Sequence, residues 1–159
     1  MNRFGARLCL FLALGFGLTA SSLSSPLKGS VFAEEPVKAT IKAKEPKADG
    51  TQELTVTLDI AHPFHIYANP VGLEDLESVQ TKVLVSGTSK KTSFKVEYPK
   101  GKLIRDPLVG NHSVYEGKVE IPVKVTRGEK AEEITVQVKF QACDDKRCLP
   151  PATLKLTVK

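Results

Sequence analysis

The chain has 159 residues with 23 basic and 18 acidic side chains, a formal charge of +5, three cysteines and no tryptophan. The basic residues form no cluster interleaved with aromatics, which excludes a nucleic-acid-binding surface of the usual kind. No segment reaches the roughly 20 consecutive apolar residues that a membrane helix needs.

Arg3 and Arg7 precede an apolar run from Leu8 to Leu18, and a polar stretch ends at Val31-Phe32-Ala33. This is the pattern of a secretory signal peptide over residues 1–33, cleaved after Ala33. Cys9 lies at the start of the apolar run and leaves with it, so residues 34–159 form one exported domain with two cysteines. An oxidising compartment permits a disulfide between them.

After a Lys/Glu/Pro lead-in, Val37, Ala39, Ile41 and Ala43 make a weak first strand. Leu54, Val56, Leu58 and Ile60 alternate with Thr55, Thr57 and Asp59, one set for a core and one for water. Val71 to Ser78 has room for one helical turn at most. The period of two returns in Val83 and Val85, in Phe94, Val96 and Tyr98, and in Val119, Ile121, Val123 and Val125. It closes with Ile134, Val136, Val138 and Phe140, then Leu154, Leu156 and Val158. Turn signals such as Asp49-Gly50, Ser86-Gly87, Lys100-Gly101 and Arg127-Gly128 separate these tracts. Seven or eight short strands without a helical period predict an all-β chain, an immunoglobulin-like antiparallel β-sandwich.

The chemistry sits in Gln141-Ala142-Cys143-Asp144-Asp145-Lys146-Arg147-Cys148-Leu149-Pro150-Pro151, between the last two strands. A bridge from Cys143 to Cys148 closes a loop of about six residues, worth about 2 kcal/mol on the chain-entropy estimate and roughly half the value of a sixty-residue loop. So local a bond contributes little to stability, which favours a thiol/disulfide couple used for exchange over an inert staple. Lys146 and Arg147 favour a thiolate while Asp144 and Asp145 oppose it. The strand context and the longer spacing exclude a thioredoxin-like domain, whose Cys-x-x-Cys opens a helix.

Two further motifs stand out. His62-Pro63-Phe64-His65 has the residue types of half a metal site, but an ordinary pair of strand-end histidines explains it better, and no metal or other cofactor is expected. Arg105-Asp106-Pro107-Leu108-Val109-Gly110-Asn111-His112 interrupts the alternation with consecutive apolar residues in a polar, turn-rich stretch. Core-filling loop residues and a lid over a reactive group both remain open there.

From about Leu54 to Val158 the chain resembles the N-terminal periplasmic domain of the thiol:disulfide interchange protein DsbD, an immunoglobulin-like module that relays electrons to other periplasmic redox proteins. The most specific match runs from Phe140-Gln141-Ala142-Cys143 through Cys148-Leu149-Pro150-Pro151. Phe64-His65-Ile66-Tyr67, Asp106-Pro107-Leu108-Val109-Gly110, Val114-Tyr115 and Val119-Glu120-Ile121-Pro122-Val123 agree with it in order and spacing. The resemblance implies that Cys148 meets the partner's sulfur and that Cys143 resolves the mixed disulfide. It places Leu108 and Val109 in a cap loop shielding the pair, with aliphatic residues where the family has aromatic ones. Asp106 and Tyr67 fall at positions near the cysteines. The loop between the cysteines is one residue shorter than in the best-known members. The implied partners are periplasmic thioredoxin-like or disulfide isomerase proteins, with electrons expected from a separate membrane electron-conducting protein. The alternative is a binding or assembly module whose short disulfide only stiffens a recognition loop.

Overall fold

The computed structural model describes residues 35–129 and 131–159, so the signal segment, Cys9 and the cleavage position lie outside the described residues. Each long alternating tract is a strand: β1 (Val37–Ala43) and β2 (Thr51–Ile60) come first. A short β3 (His65–Tyr67) follows, then a 3-10 turn at Glu74–Leu76, β4 (Lys82–Gly87) and β5 (Ser93–Val96). β6 (Lys102–Asp106), β7 (Gly110–Tyr115), β8 (Gly117–Thr126), β9 (Ile134–Phe140), β10 (Ala142–Cys143) and β11 (Ala152–Val158) complete the order.

All pairings are antiparallel, in three sheets ordered β1-β2-β8-β5, β10-β3-β7-β6 and β11-β9-β4. The register sets apolar residues opposite one another, as in Val56↔Ile121 and Leu54↔Val123 across β2 and β8, and Val83↔Val138 and Val85↔Val136 across β4 and β9. Because side chains alternate with a period of two, that register sends each apolar set to one side. Val56, Leu58, Ile121, Val125, Ile134, Val136 and Val138, all essentially inaccessible, meet Ile66 and Tyr115 in one core. The chain is an immunoglobulin-like antiparallel β-sandwich, and none of the described helices is long and apolar enough to cross a membrane.

The structure has more strands than the expected seven or eight, because β3, β6, β7 and β10 carry no clean alternation. In β7 the adjacent Val114 and Tyr115 are both buried, Tyr115 toward the main core and Val114 outside it. A strand covered on both faces does not read as apolar-in, polar-out. Arg105 to His112, which interrupts the alternation, is therefore a β6–β7 hairpin. Two expected core residues are displaced: Phe94, on the four-residue edge strand β5, is 42% exposed, and Ala43 is exposed where β1 runs out.

One buried polar cluster gave no signal in the sequence. Arg127 donates through Nε to Gln52 Oε1 at 2.9 Å and through a terminal nitrogen to the Glu132 carbonyl. The Glu132 carboxylate accepts the Thr92 hydroxyl at 2.6 Å and the N–H groups of Gly128 at 2.7 Å and Ser89 at 3.0 Å. A side chain at Gly87 would collide with Glu132 Oε2, so the strand passes the carboxylate only because that position is bare.

Candidate functional site

The β9–β11 hairpin stays in register to Phe140↔Ala152, and Gln141 then steps the chain sideways so that Ala142 and Cys143 pair with β3. Ala142 accepts the Leu149 N–H at 2.8 Å, and the Asp144 N–H donates to the Arg147 carbonyl at 2.9 Å. These bonds flank an isolated antiparallel bridge, Cys143↔Cys148, in which neither cysteine bonds the other's backbone. Side chains of such a non-hydrogen-bonded pair approach most closely. The two are joined by a disulfide with their Cα atoms 3.9 Å apart.

The loop also carries hydrogen bonds of its own. Asp144 Oδ1 accepts the N–H groups of Lys146 and Arg147 at 2.8 and 2.9 Å, and Gln141 Nε2 donates to the Leu149 carbonyl at 3.0 Å. The Lys146 N–H, then the Arg147 N–H, hold the Asp144 carboxyl below the ordinary aspartate range, with burial opposing them. Its carboxylate is thereby fixed in the turn.

Strand parity decides what surrounds the pair. Ala142 lies opposite Ile66, and Ile66 opposite Tyr115, all three toward the core. Cys143, opposite His65, therefore shares the other face of the sheet with His65 and Tyr67, with Val114 and His112 on β7, and with Lys102, Ile104 and Asp106 on β6. Cys143 is only 2% exposed, whereas Cys148, on the far arm of the hairpin, is exposed. One sulfur is sheltered and the other faces solvent.

Tyr67 is fixed from behind, since its carbonyl accepts both the hydroxyl and the N–H of Thr81 at 2.6 and 2.9 Å. Its phenol oxygen lies 3.7 Å from Cys143 Sγ and 3.9 Å from Cys148 Sγ. Neither disulfide sulfur carries a proton, so the phenol is the donor in both contacts. Burial raises the Tyr67 pKa, so it remains a neutral O–H donor across the working range. Two histidine rings flank it edge-on, His65 with its centroid at 6.3 Å and the buried His112 at 5.8 Å. Burial depresses the His65 pKa, against the attraction of Glu116 and, more weakly, of Asp145 and Asp144.

Of the residues the sequence nominates, the structure gathers Cys143, Cys148 and Tyr67. Asp106, Leu108 and Val109 meet instead at the tip of the β6–β7 hairpin. There Asp106 Oδ1 accepts the N–H groups of Leu108 at 2.7 Å and Val109 at 2.9 Å. Those two donors, Val109 first, hold the Asp106 carboxyl below its ordinary range. Leu108 is 95% exposed and Val109 52%, so the core-filling account of these residues fails, and Leu108 covers almost nothing. Among the described residues no three His, Cys, Asp or Glu side chains are arranged to hold a metal ion. Thr81 and His112 escaped sequence reasoning; only the β3–β7 register, which short strands do not reveal, puts His112 on the cysteine face.

The family model of the thiol:disulfide interchange protein DsbD, N-terminal, matches residues 32–159. The chain belongs to this family. No curated protein sequence matches it. Among solved structures it is similar to the N-terminal periplasmic domain of ScsB from Proteus mirabilis, at 14% identity and a TM-score of 0.54. That match covers 76% of this chain and 45% of that one, so the chain spans less than half of the ScsB domain's length. The reduced DsbD N-terminal domain of Neisseria meningitidis matches at 16% identity and a TM-score of 0.48, covering 74% of this chain and 82% of that one. The complex of the Neisseria meningitidis DsbD and PilB N-terminal domains matches at 17% identity and a TM-score of 0.45, covering 87% and 88%. The likeness to the ScsB domain establishes the fold, and the family match places the chain in the thiol–disulfide interchange class.

Proposed function

We propose that residues 34–159, exported by a signal peptide over residues 1–33, are a periplasmic relay that passes two electrons between redox proteins through Cys143 and Cys148. The observation that carries this reading is the asymmetry of the pair, a sheltered Cys143 and an exposed Cys148 on a hairpin held by its own hydrogen bonds. A donor thiolate attacks Cys148 Sγ, the Cys143–Cys148 bond breaks, and its electron pair leaves on Cys143 as a thiolate. The donor's second thiolate then attacks the mixed disulfide and departs as a disulfide, leaving the domain as a dithiol. In the second half the Cys148 thiolate attacks an oxidised acceptor and Cys143 closes the ring.

The acceptors are thioredoxin-like or disulfide isomerase proteins of the periplasm, and the electrons arrive from a membrane electron-conducting module. Family membership and the open approach to Cys148 support this assignment. Leu108 and Val109, apolar and exposed at the tip of the β6–β7 hairpin, offer a partner an apolar contact away from the sulfurs. Tyr67 stabilises the thiolate by donation; Tyr67→Phe should slow reduction of the disulfide by dithiothreitol about fivefold, the rate equivalent of one hydrogen bond of about 1 kcal/mol. Stopped-flow reduction of the two proteins checks it, and equal rates would remove Tyr67 from the exchange.

The test of the function is whether the domain outlives its bond. Reduced with dithiothreitol, it should keep its amide NMR spectrum, with shifts confined to residues 141–149, β3 and their neighbours, and lose only about 2 kcal/mol of stability. A domain that unfolds on reduction uses the bridge as a staple, and the assembly-module reading then takes its place.

A further inference from the structure

Breaking the disulfide at Cys148 creates negative charge at Cys143, the sulfur sheltered from water. A buried thiolate needs a cation or a proton. Lys146 and Arg147 are exposed on the loop, with the Arg147 Nε 4.0 Å from Asp144, and Lys102 is paired with Glu116 at 2.8 Å. Tyr67 offers a hydrogen bond but no charge. The side chain placed to answer is His65, which stands opposite Cys143 in the β3–β10 register on the same face; cross-strand neighbours of this kind have Cβ atoms about 5 Å apart. Its other side lines a cleft of about 400 Å3 with His62, Lys102, Glu116 and Asp145. His65 thus stands between a polar cleft and the sheltered sulfur.

We propose that His65 holds the proton that answers the Cys143 thiolate, taking it from the cleft as the disulfide opens and releasing it as the disulfide closes. This rests on the exchange reading above. The step balances: the donor thiolate forms its bond to Cys148, the S–S electron pair stays on Cys143 as a thiolate, and the proton from solvent resides on the imidazole beside it. In the disulfide state the groups facing His65 are Glu116, Asp145 and Asp144, with His112 across Tyr67 repelling its charge and Lys102 engaged by Glu116. Burial outweighs the acidic groups and favours the neutral imidazole while the disulfide is closed. His65 acts through the sulfur's charge and is a positioning residue. His112, whose Nδ1 lies 2.9 Å from the Gly110 carbonyl, packs on the far side of Tyr67 and serves as the comparison.

The experiment is a histidine titration by NMR of the intact domain, oxidised and then reduced with dithiothreitol. The midpoint of His65 should rise by about one pH unit on reduction, and that of His112 should move much less. Reciprocity demands the converse. In the Cys148→Ser protein the ultraviolet absorbance of the Cys143 thiolate should appear about one pH unit lower than when His65→Gln is added. If the domain reduces readily but the His65 midpoint does not move, or His112 moves instead, the His65 assignment is overturned while exchange stands. If dithiothreitol leaves the disulfide closed, the exchange reading itself falls. The titration needs no substitution at His65, so a His65→Gln protein that fails to fold leaves it decisive.

Discussion

Cys148→Ser should abolish electron transfer completely, whereas Cys143→Ser should capture a thioredoxin-like partner as a stable mixed disulfide through Cys148. The reason is positional. Cys148 is exposed on the outer arm of the hairpin, and Cys143 lies beneath it against Tyr67, out of reach of an approaching protein sulfur. With Cys143 gone, no other cysteine among the described residues can resolve the adduct. Non-reducing electrophoresis of each variant mixed with an oxidised thioredoxin-like protein separates the outcomes; capture by the Cys148→Ser protein would reverse the two roles.

The second large effect concerns the fold. Glu132→Ala should destabilise the domain by about 3 kcal/mol, because it strands the Thr92 hydroxyl and the N–H groups of Ser89 and Gly128 where Glu132, only 4% exposed, keeps water out. Urea midpoints measure it, and a change below about 1 kcal/mol would show that water replaces the carboxylate. The cluster also has a pH signature. Burial alone would raise the Glu132 pKa, but the donors from Thr92, Ser89, Gly128 and Glu129 outweigh it and lower it. A folded-state pKa below the unfolded value of about 4.3 adds stability above that value and loses it as the pH falls through the folded one. Glu132→Gln should therefore flatten the acid limb of the urea midpoint against pH and leave the fold's other carboxylates to set what remains.

The sandwich was legible wherever one strand face met water. β2, β8 and β9 announce themselves through Leu54 to Ile60, Val119 to Val125 and Ile134 to Phe140, because burial on one side and solvent on the other write the alternation directly. The site was legible in its sulfurs, since a short loop between two cysteines is a property of spacing, and in Tyr67 through a family resemblance. Its surroundings were not. Whether His65, Tyr67 and His112 share a face with Cys143 depends on the registers of β3, β7 and β10, strands of three, six and two residues in which Val114 and Tyr115 are buried on opposite sides. The Arg127–Gln52–Glu132 cluster joins residues 75 apart in sequence with no local pattern at all. Leu108 was ambiguous for a related reason, because an apolar residue at a turn is equally at home filling a core or projecting toward a partner.

The most direct measurement is equilibration of the domain in graded glutathione buffers, with the free thiols counted by alkylation and mass spectrometry. The domain should be half reduced at a potential above about −300 mV, within reach of physiological dithiols. A Cys143–Cys148 bond that stays closed well below that potential would be structural, and the account of this chain as an electron relay would be contradicted.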